Sequence, residues 1–167
     1  MMKLLVVRHA IAMDREEFAE SGQADSLRPL TDKGIKRMQQ GAKGLLTQLG
    51  NIDLLATSPL ERALQTARIV ADAYTVGDAE VTSCLSPGAP FEEFEQWCEA
   101  KGERDVIAIV GHEPHLSSLV TWLLAGHWES RLTLRKGGAC LVGFESLPRR
   151  NAGVLEWLLK PRQLRML

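Results

Sequence analysis

The sequence predicts a three-layer α/β/α sandwich with a mostly parallel central sheet, and three observations lead there. Short apolar runs rich in branched residues alternate with segments of helical periodicity. The runs at Lys3 to Val7, Asp53 to Thr57 and Asp105 to Val110 are apolar without alternation, as strands buried on both faces are. Each is followed at once by a polar turn and then, directly or after a loop, by a helix long enough to carry a crossover to a parallel neighbour.

Taken in order, Lys3 to Val7 reads as the first central strand. The polar segment from Met13 to Arg28 has no clean period and reads as a long loop or fragmentary helix that could overhang a site. Thr31 can cap a helix whose apolar residues Ile35, Met38, Ala42, Leu45, Leu46 and Leu49 share a face, with Gly50 at its stop. Asp53 to Thr57 is the second strand, and Ser58-Pro59 resembles a cap and first-turn pair opening a helix through Tyr74. Glu80 to Ser83 reads as a short edge strand. The breaker cluster Ser86 to Pro90 precedes a helix with Phe91, Phe94, Trp97 and Cys98 on its core face. Asp105 to Val110 is the clearest buried strand, and Gly-His-Glu-Pro leads from it into a helix carrying Leu116, Leu119, Val120, Leu123 and Leu124 and ended by Gly126. Ala139 to Phe144 and Val154 to Leu159 read as two strands joined by a loop.

The 167 residues suit one domain over 1–167, with no repeat or linker. Twenty Lys+Arg against 21 Asp+Glu leave a net charge of -1, so no global basic field advertises nucleic acid or an anionic membrane, and any preference for anions is local. Cys84, Cys98 and Cys140 form neither a disulfide framework nor a zinc pattern, and they read as buried small hydrophobes in a reducing compartment. The opening Met-Met-Lys-Leu-Leu-Val-Val run is interrupted by Arg8 and His9, too early for a signal peptide, and no run is long enough to span a bilayer. A cytoplasmic protein is expected. His112 and His115 stand three apart across Pro114, unlike the i, i+4 pair of a zinc helix, so neither a metal nor a cofactor is expected.

Three ionic clusters occupy equivalent places: Arg8-His9 ends the first strand, Ser58 to Arg62 follows the second, and Gly111-His112-Glu113 follows Asp105 to Val110. In a parallel sheet these are carboxyl ends, where open α/β folds bind ligands. Singly, each has an ordinary reading: Arg8-His9 as a surface strand end, Arg62 as the partner of Glu61 or Asp72. Together, two guanidiniums, a helix start and two imidazoles suit a tetrahedral oxyanion. Arg62 in the first turn of its helix is a cation at the positive end of the dipole, and a bound anion reverses that penalty. A neutral imidazole can attack phosphorus and later leave to water, while guanidinium forks balance charge on the equatorial oxygens without a metal.

Val-Arg-His-Ala at 7 to 10, Ser-Pro-Leu-Glu-Arg-Ala-Leu-Gln-Thr at 58 to 66 and Val-Gly-His-Glu-Pro at 110 to 114 together resemble the histidine phosphatase superfamily, of phosphoglycerate mutase-like fold. The resemblance implies that His9 is the phosphorylated nucleophile, Arg8 and Arg62 the phosphate clamp, and His112 the second histidine donating to the transferring group. Arg28, in Arg-Pro-Leu-Thr-Asp-Lys-Gly, also resembles small members in its setting and is a candidate for substrate binding beside its ordinary reading as a surface salt bridge.

Ala10 departs from the usual glycine of the first motif, which a turn of negative φ accommodates. Members acting on phosphate monoesters usually carry a general-acid carboxylate in an insertion after the second motif, and no such motif is evident. Glu113 is the nearest candidate, able also to bind substrate or sit at a helix start, with Asp14 and Glu16 behind it. Phosphoimidazole departs with less help than an alkoxide, so the missing acid points toward phosphohistidine. The short chain is similar to phosphohistidine phosphatases of the SixA type, which implies a phosphorylated signalling protein, such as a histidine phosphotransfer domain, as partner. The alternatives are a small-molecule phosphomonoesterase or mutase, and a phosphate-binding regulatory module without turnover.

Overall fold

The apolar runs assemble into one six-stranded sheet in a computed structural model that describes residues 1–167. The strands are β1 (Met2–Arg8), β2 (Leu54–Thr57), β3 (Glu80–Val81), β4 (Val106–Gly111), β5 (Ala139–Phe144) and β6 (Val154–Leu159), and the helices α1 (Arg15–Ala19), α2 (Asp32–Gln48), α3 (Glu61–Tyr74), α4 (Phe91–Lys101), α5 (His115–Ala125) and α6 (Pro161–Leu164). The spatial order is β3-β2-β4-β1-β5-β6. The first four of these are mutually parallel, while β5 and β6 continue the sheet antiparallel. The mostly parallel α/β sandwich is therefore present, with an antiparallel edge formed by the tail.

Alternation within each strand divides the core in two. Leu5 and Val7 of β1 with Val106, Ala108 and Val110 of β4 meet Met38, Ala42 and Leu45 of α2, Ala67 and Val70 of α3 and Leu164 of α6 on one face. Leu4, Val6, Ile107 and Ile109 meet Phe94 and Cys98 of α4 and Leu116, Leu119, Val120 and Leu123 of α5 on the other. Each large apolar side chain so covered contributes about 1.5–3 kcal/mol relative to exposure. The three cysteines are buried and free, as a hydrophobic role requires. No helix is long and apolar enough to cross a membrane.

Several boundaries differ from the sequence reading. Of the two readings of the polar segment the fragmentary helix holds: the five-residue α1 is capped by Asp14, which accepts the N–H groups of Glu16 and Glu17 at 3.0 Å each, and a 3-10 turn at Asp25–Leu27 follows. The edge strand is only Glu80–Val81, since Ser83–Leu85 turns into a 3-10 helix that buries Cys84 and Leu85. α2 ends with Leu49 extended at its C-cap, one residue before Gly50. The four-residue α6 was not foreseen. It lies so close to α2 that a Cβ on Gly44 would collide with the Leu164 carbonyl.

Register brings the polar turns together. Arg8 pairs with Gly111 and Thr57 with Val110, so His9, Ser58 and His112 leave three neighbouring strands at the same edge.

Candidate active site

His9 and His112 face each other with ring centroids 5.1 Å apart and interplanar angle 51°. Both are buried. The His9 N–H donates to the Gly111 carbonyl at 3.0 Å, which fixes the backbone between β1 and β4. His9 Nδ1 lies 2.7 Å from the Ala10 carbonyl oxygen, an atom that can only accept, so Nδ1 carries the proton and Nε2 keeps the lone pair. Ala10 itself is anchored by its N–H to Thr66 Oγ1 at 3.0 Å, and Thr66 Oγ1 donates to the Arg62 carbonyl at 2.8 Å. Its φ is not positive, so alanine fits where the turn was expected to tolerate it.

Burial pushes the His9 imidazole down to about 4, helped by the charges of Arg62, Arg8 and Lys136 and opposed by the bond to Ala10. His112 is pushed down to about 3 by burial, then by His9, Arg62, His115 and Arg8. Both rings are therefore neutral at pH 7, and a neutral ring with a free Nε2 is a nucleophile.

Ser58 does not cap α3. The helix begins at Glu61 with Leu60 at the N-cap, and Ser58 Oγ instead meets His112 Nε2 at 2.5 Å. The Ser-Pro signature was overridden because the buried imidazole takes the hydroxyl.

Arg62, second residue of α3, is buried and pairs with neither Glu61 nor Asp72. Its Nη1 donates to the Asp25 carbonyl at 3.1 Å and lies 3.4 Å from Asp25 Oδ2. Arg28 is buried too, with Nε on Asp25 Oδ1 and Nη1 on the Met13 carbonyl, both at 2.8 Å. Asp25 thus ties the two arginines together, and hydrogen bonding from Arg28 holds its carboxyl below the usual range. Arg28 stands one carboxylate away from Arg62, in an ion pair whose guanidinium is buried while the Asp25 carboxylate is half-exposed. The Met13 to Arg28 segment does overhang the site, and Asp25 was not singled out from sequence.

Arg8, partly buried, donates through Nη1 to the Leu134 carbonyl at 2.8 Å, and its charge reaches both imidazoles. Glu113 accepts the Ser117 N–H at 2.8 Å, which places its carboxylate at the start of α5, near enough to Arg8 to oppose the loss of its proton. Glu16 is exposed in the first turn of α1. His115 is buried and meets the Ala89 carbonyl at 3.0 Å, while His127 is exposed after Gly126. No three His, Cys, Asp or Glu side chains gather as a metal ion would require.

The protein supplies no hydrogen-bond partner to Arg8 Nε, Arg62 Nε or His112 Nδ1. Two guanidiniums, two neutral imidazoles and Lys136 nearby form a positive, partly desolvated mouth that a tetrahedral oxyanion matches in charge and acceptor count.

The profile of the histidine phosphatase superfamily (branch 1) matches residues 4–85. An uncharacterized protein of Picosynechococcus is 36% identical over 148 residues, 87% of this chain and 86% of the relative. Phosphohistidine phosphatase SixA of Escherichia coli is 26% identical over 168 residues, covering 99% and 98% of the two chains. The structure of the protein histidine phosphatase SixA complexed with tungstate superposes with a TM-score of 0.81 at 25% identity, over 98% of this chain and 99% of that one. Sheet order, site geometry and these likenesses agree, and the chain belongs to the histidine phosphatase superfamily.

Proposed function

We propose that the protein is a phosphohistidine phosphatase that carries the phosphoryl group on His9 between substrate and water. The observation behind this reading is the pair of neutral imidazoles 5.1 Å apart within the charge of Arg8 and Arg62. His9 Nε2 attacks phosphorus, forming an N–P bond as the substrate's N–P bond breaks. The leaving imidazole, already protonated on its other nitrogen, departs neutral. Water then attacks the phosphoenzyme, returning His9 and releasing phosphate. Arg8 and Arg62 balance charge on the equatorial oxygens, and His112, held by Ser58, contacts the transferring group.

What the carboxylates do supports this substrate class. Asp25 is bound by Arg28 and Arg62 and held in the charged form, Asp14 caps α1, and Glu113 holds the start of α5. An alkoxide wants a proton that such groups are poorly placed to give, whereas imidazole leaves without it. The relation to the SixA proteins supports the same choice. A panel of phosphohistidine protein, sugar phosphates and an aryl phosphate tests it. The expected order puts phosphohistidine protein first by kcat/KM; release from sugar phosphates but never from phosphohistidine overturns the assignment.

A further inference from the structure

Beside the catalytic mouth lies a small cavity of about 40 Å³ lined by Ala10, Ile11, Gly34, Met38, Gly137 and Pro161 together with Arg37, Lys136 and Arg165. Three cations from α2, the loop before β5 and the end of α6 thus share one recess, and no acid lines it. Lys33 precedes Arg37 by four residues on the same face of α2, Arg162 precedes Arg165, and Arg135 adjoins Lys136. None of these six cations takes part in an ion pair; other cations of the chain are unpaired too, and it is the gathering of these six about one recess that sets this face apart. In a chain whose net charge is -1, this is a concentrated unpaired field.

Its position ties it to the reaction. Ala10, whose carbonyl fixes the His9 tautomer, lines the recess. Gly137, which also lines it, donates its N–H to the carbonyls of Arg8 and His9 at 3.2 and 3.1 Å. The recess thus shares its wall with the turn that carries His9. At about 40 Å³ the recess is small and has room for a carboxylate.

We propose that this face docks an acidic surface of the phosphorylated protein, with one of its carboxylates seated between Arg37, Lys136 and Arg165. The proposal rests on the phosphohistidine reading above and gives it a partner chemistry. Several exposed cations around a recess steer an anionic partner and raise its association rate, an effect that salt screens.

The test compares the wild-type protein with the double variant Arg37→Glu/Arg162→Glu, both positions exposed and outside the catalytic constellation. The substrates are an acidic histidine phosphotransfer domain carrying phosphohistidine and a small aryl phosphate. The expected result is a loss of at least about tenfold in kcat/KM on the domain at low salt, with the aryl phosphate rate within about twofold of wild type and the salt dependence flattened. The aryl phosphate rate also reports correct folding, and the milder Arg37→Gln/Arg162→Gln variant is expected to show a smaller loss of the same kind. Unchanged rates on the domain, or equal losses on both substrates, overturn the docking surface while leaving the proposed function standing. So does binding to phosphatidylserine vesicles or duplex nucleic acid that the variant abolishes without touching the domain rate. A wild-type protein inactive on every phosphohistidine protein overturns the function and the docking surface together.

Discussion

Lowering the pH is the perturbation that separates this site from an ordinary exposed histidine. His9 is held down to about 4 because burial and the charges of Arg62, Arg8 and Lys136 all oppose a second ring proton. At pH 5.5 a group titrating at 4 is about 97% neutral, whereas one at the usual 6.5 is about 9% neutral, so the two cases differ about tenfold in nucleophile. His112, held down to about 3, stays neutral across the same interval. The assay is a histidine-ring NMR titration of the free protein from pH 8 to about 4, with kcat/KM corrected for substrate ionisation followed alongside. The expected record shows no ring titration between pH 7 and 5 for either site histidine and a rate flat over that interval. The same shift bears on stability. The folded ring binds its proton less readily than the unfolded one, so the unfolded chain gains protons first as pH falls below 6.5. The stability present above 6.5 is therefore lost down to about 4, by about 3 kcal/mol for His9. A His9 titration near 6.5 would refute the reasoning, because the ring could not then be buried beside the arginines.

Replacement of Arg62 by Ala is expected to lower kcat/KM by about 10²–10³, the loss typical of one preorganised charge donor, and steady-state kinetics on an aryl phosphate measures it. Arg8→Lys is also expected to be damaging, because a point charge cannot reach the Leu134 carbonyl and a phosphate as a planar fork does; wild-type kcat/KM would remove Arg8 from the clamp. Asp25→Ala should destabilise the fold by about 1–2 kcal/mol in urea, less than the 3–5 of a fully buried pair because the Asp25 side chain is 47% exposed while both arginines are buried. Gly44→Ala should cost about 1–3 kcal/mol through the clash with the Leu164 carbonyl, seen as a lower Tm and faster proteolysis after β6; an unchanged Tm would mean that α6 is not packed on α2 as described.

The central strands were legible because β1 and β4 are covered on both faces, which forces uninterrupted apolar runs, and the site histidines follow those runs directly. α6 was not, since only Leu164 of its four residues is buried and no period can develop in so short a helix. Ser58-Pro59 looked like a helix start because local chemistry fits one; the contact with His112 is made across 54 residues and leaves no local trace. Asp25 was hidden for the same reason: an acid in a polar loop carries no mark of the two arginines that enclose it. Lys136 enters from a segment between elements, and only the pairing of β1 with β5 brings it beside His9.

Direct detection of the phosphoenzyme decides most. The protein, labelled with ¹⁵N in its histidines, is mixed with a phosphohistidine donor, quenched in alkali and examined by ³¹P NMR. A phosphoramidate on Nε2 of residue 9, absent from His9→Ala, is the expected signal, because Ala10 holds the proton on Nδ1. A protein that consumes the donor while no phosphoryl group ever reaches that ring, or one that places it on Nδ1, contradicts the chemistry assigned to this site.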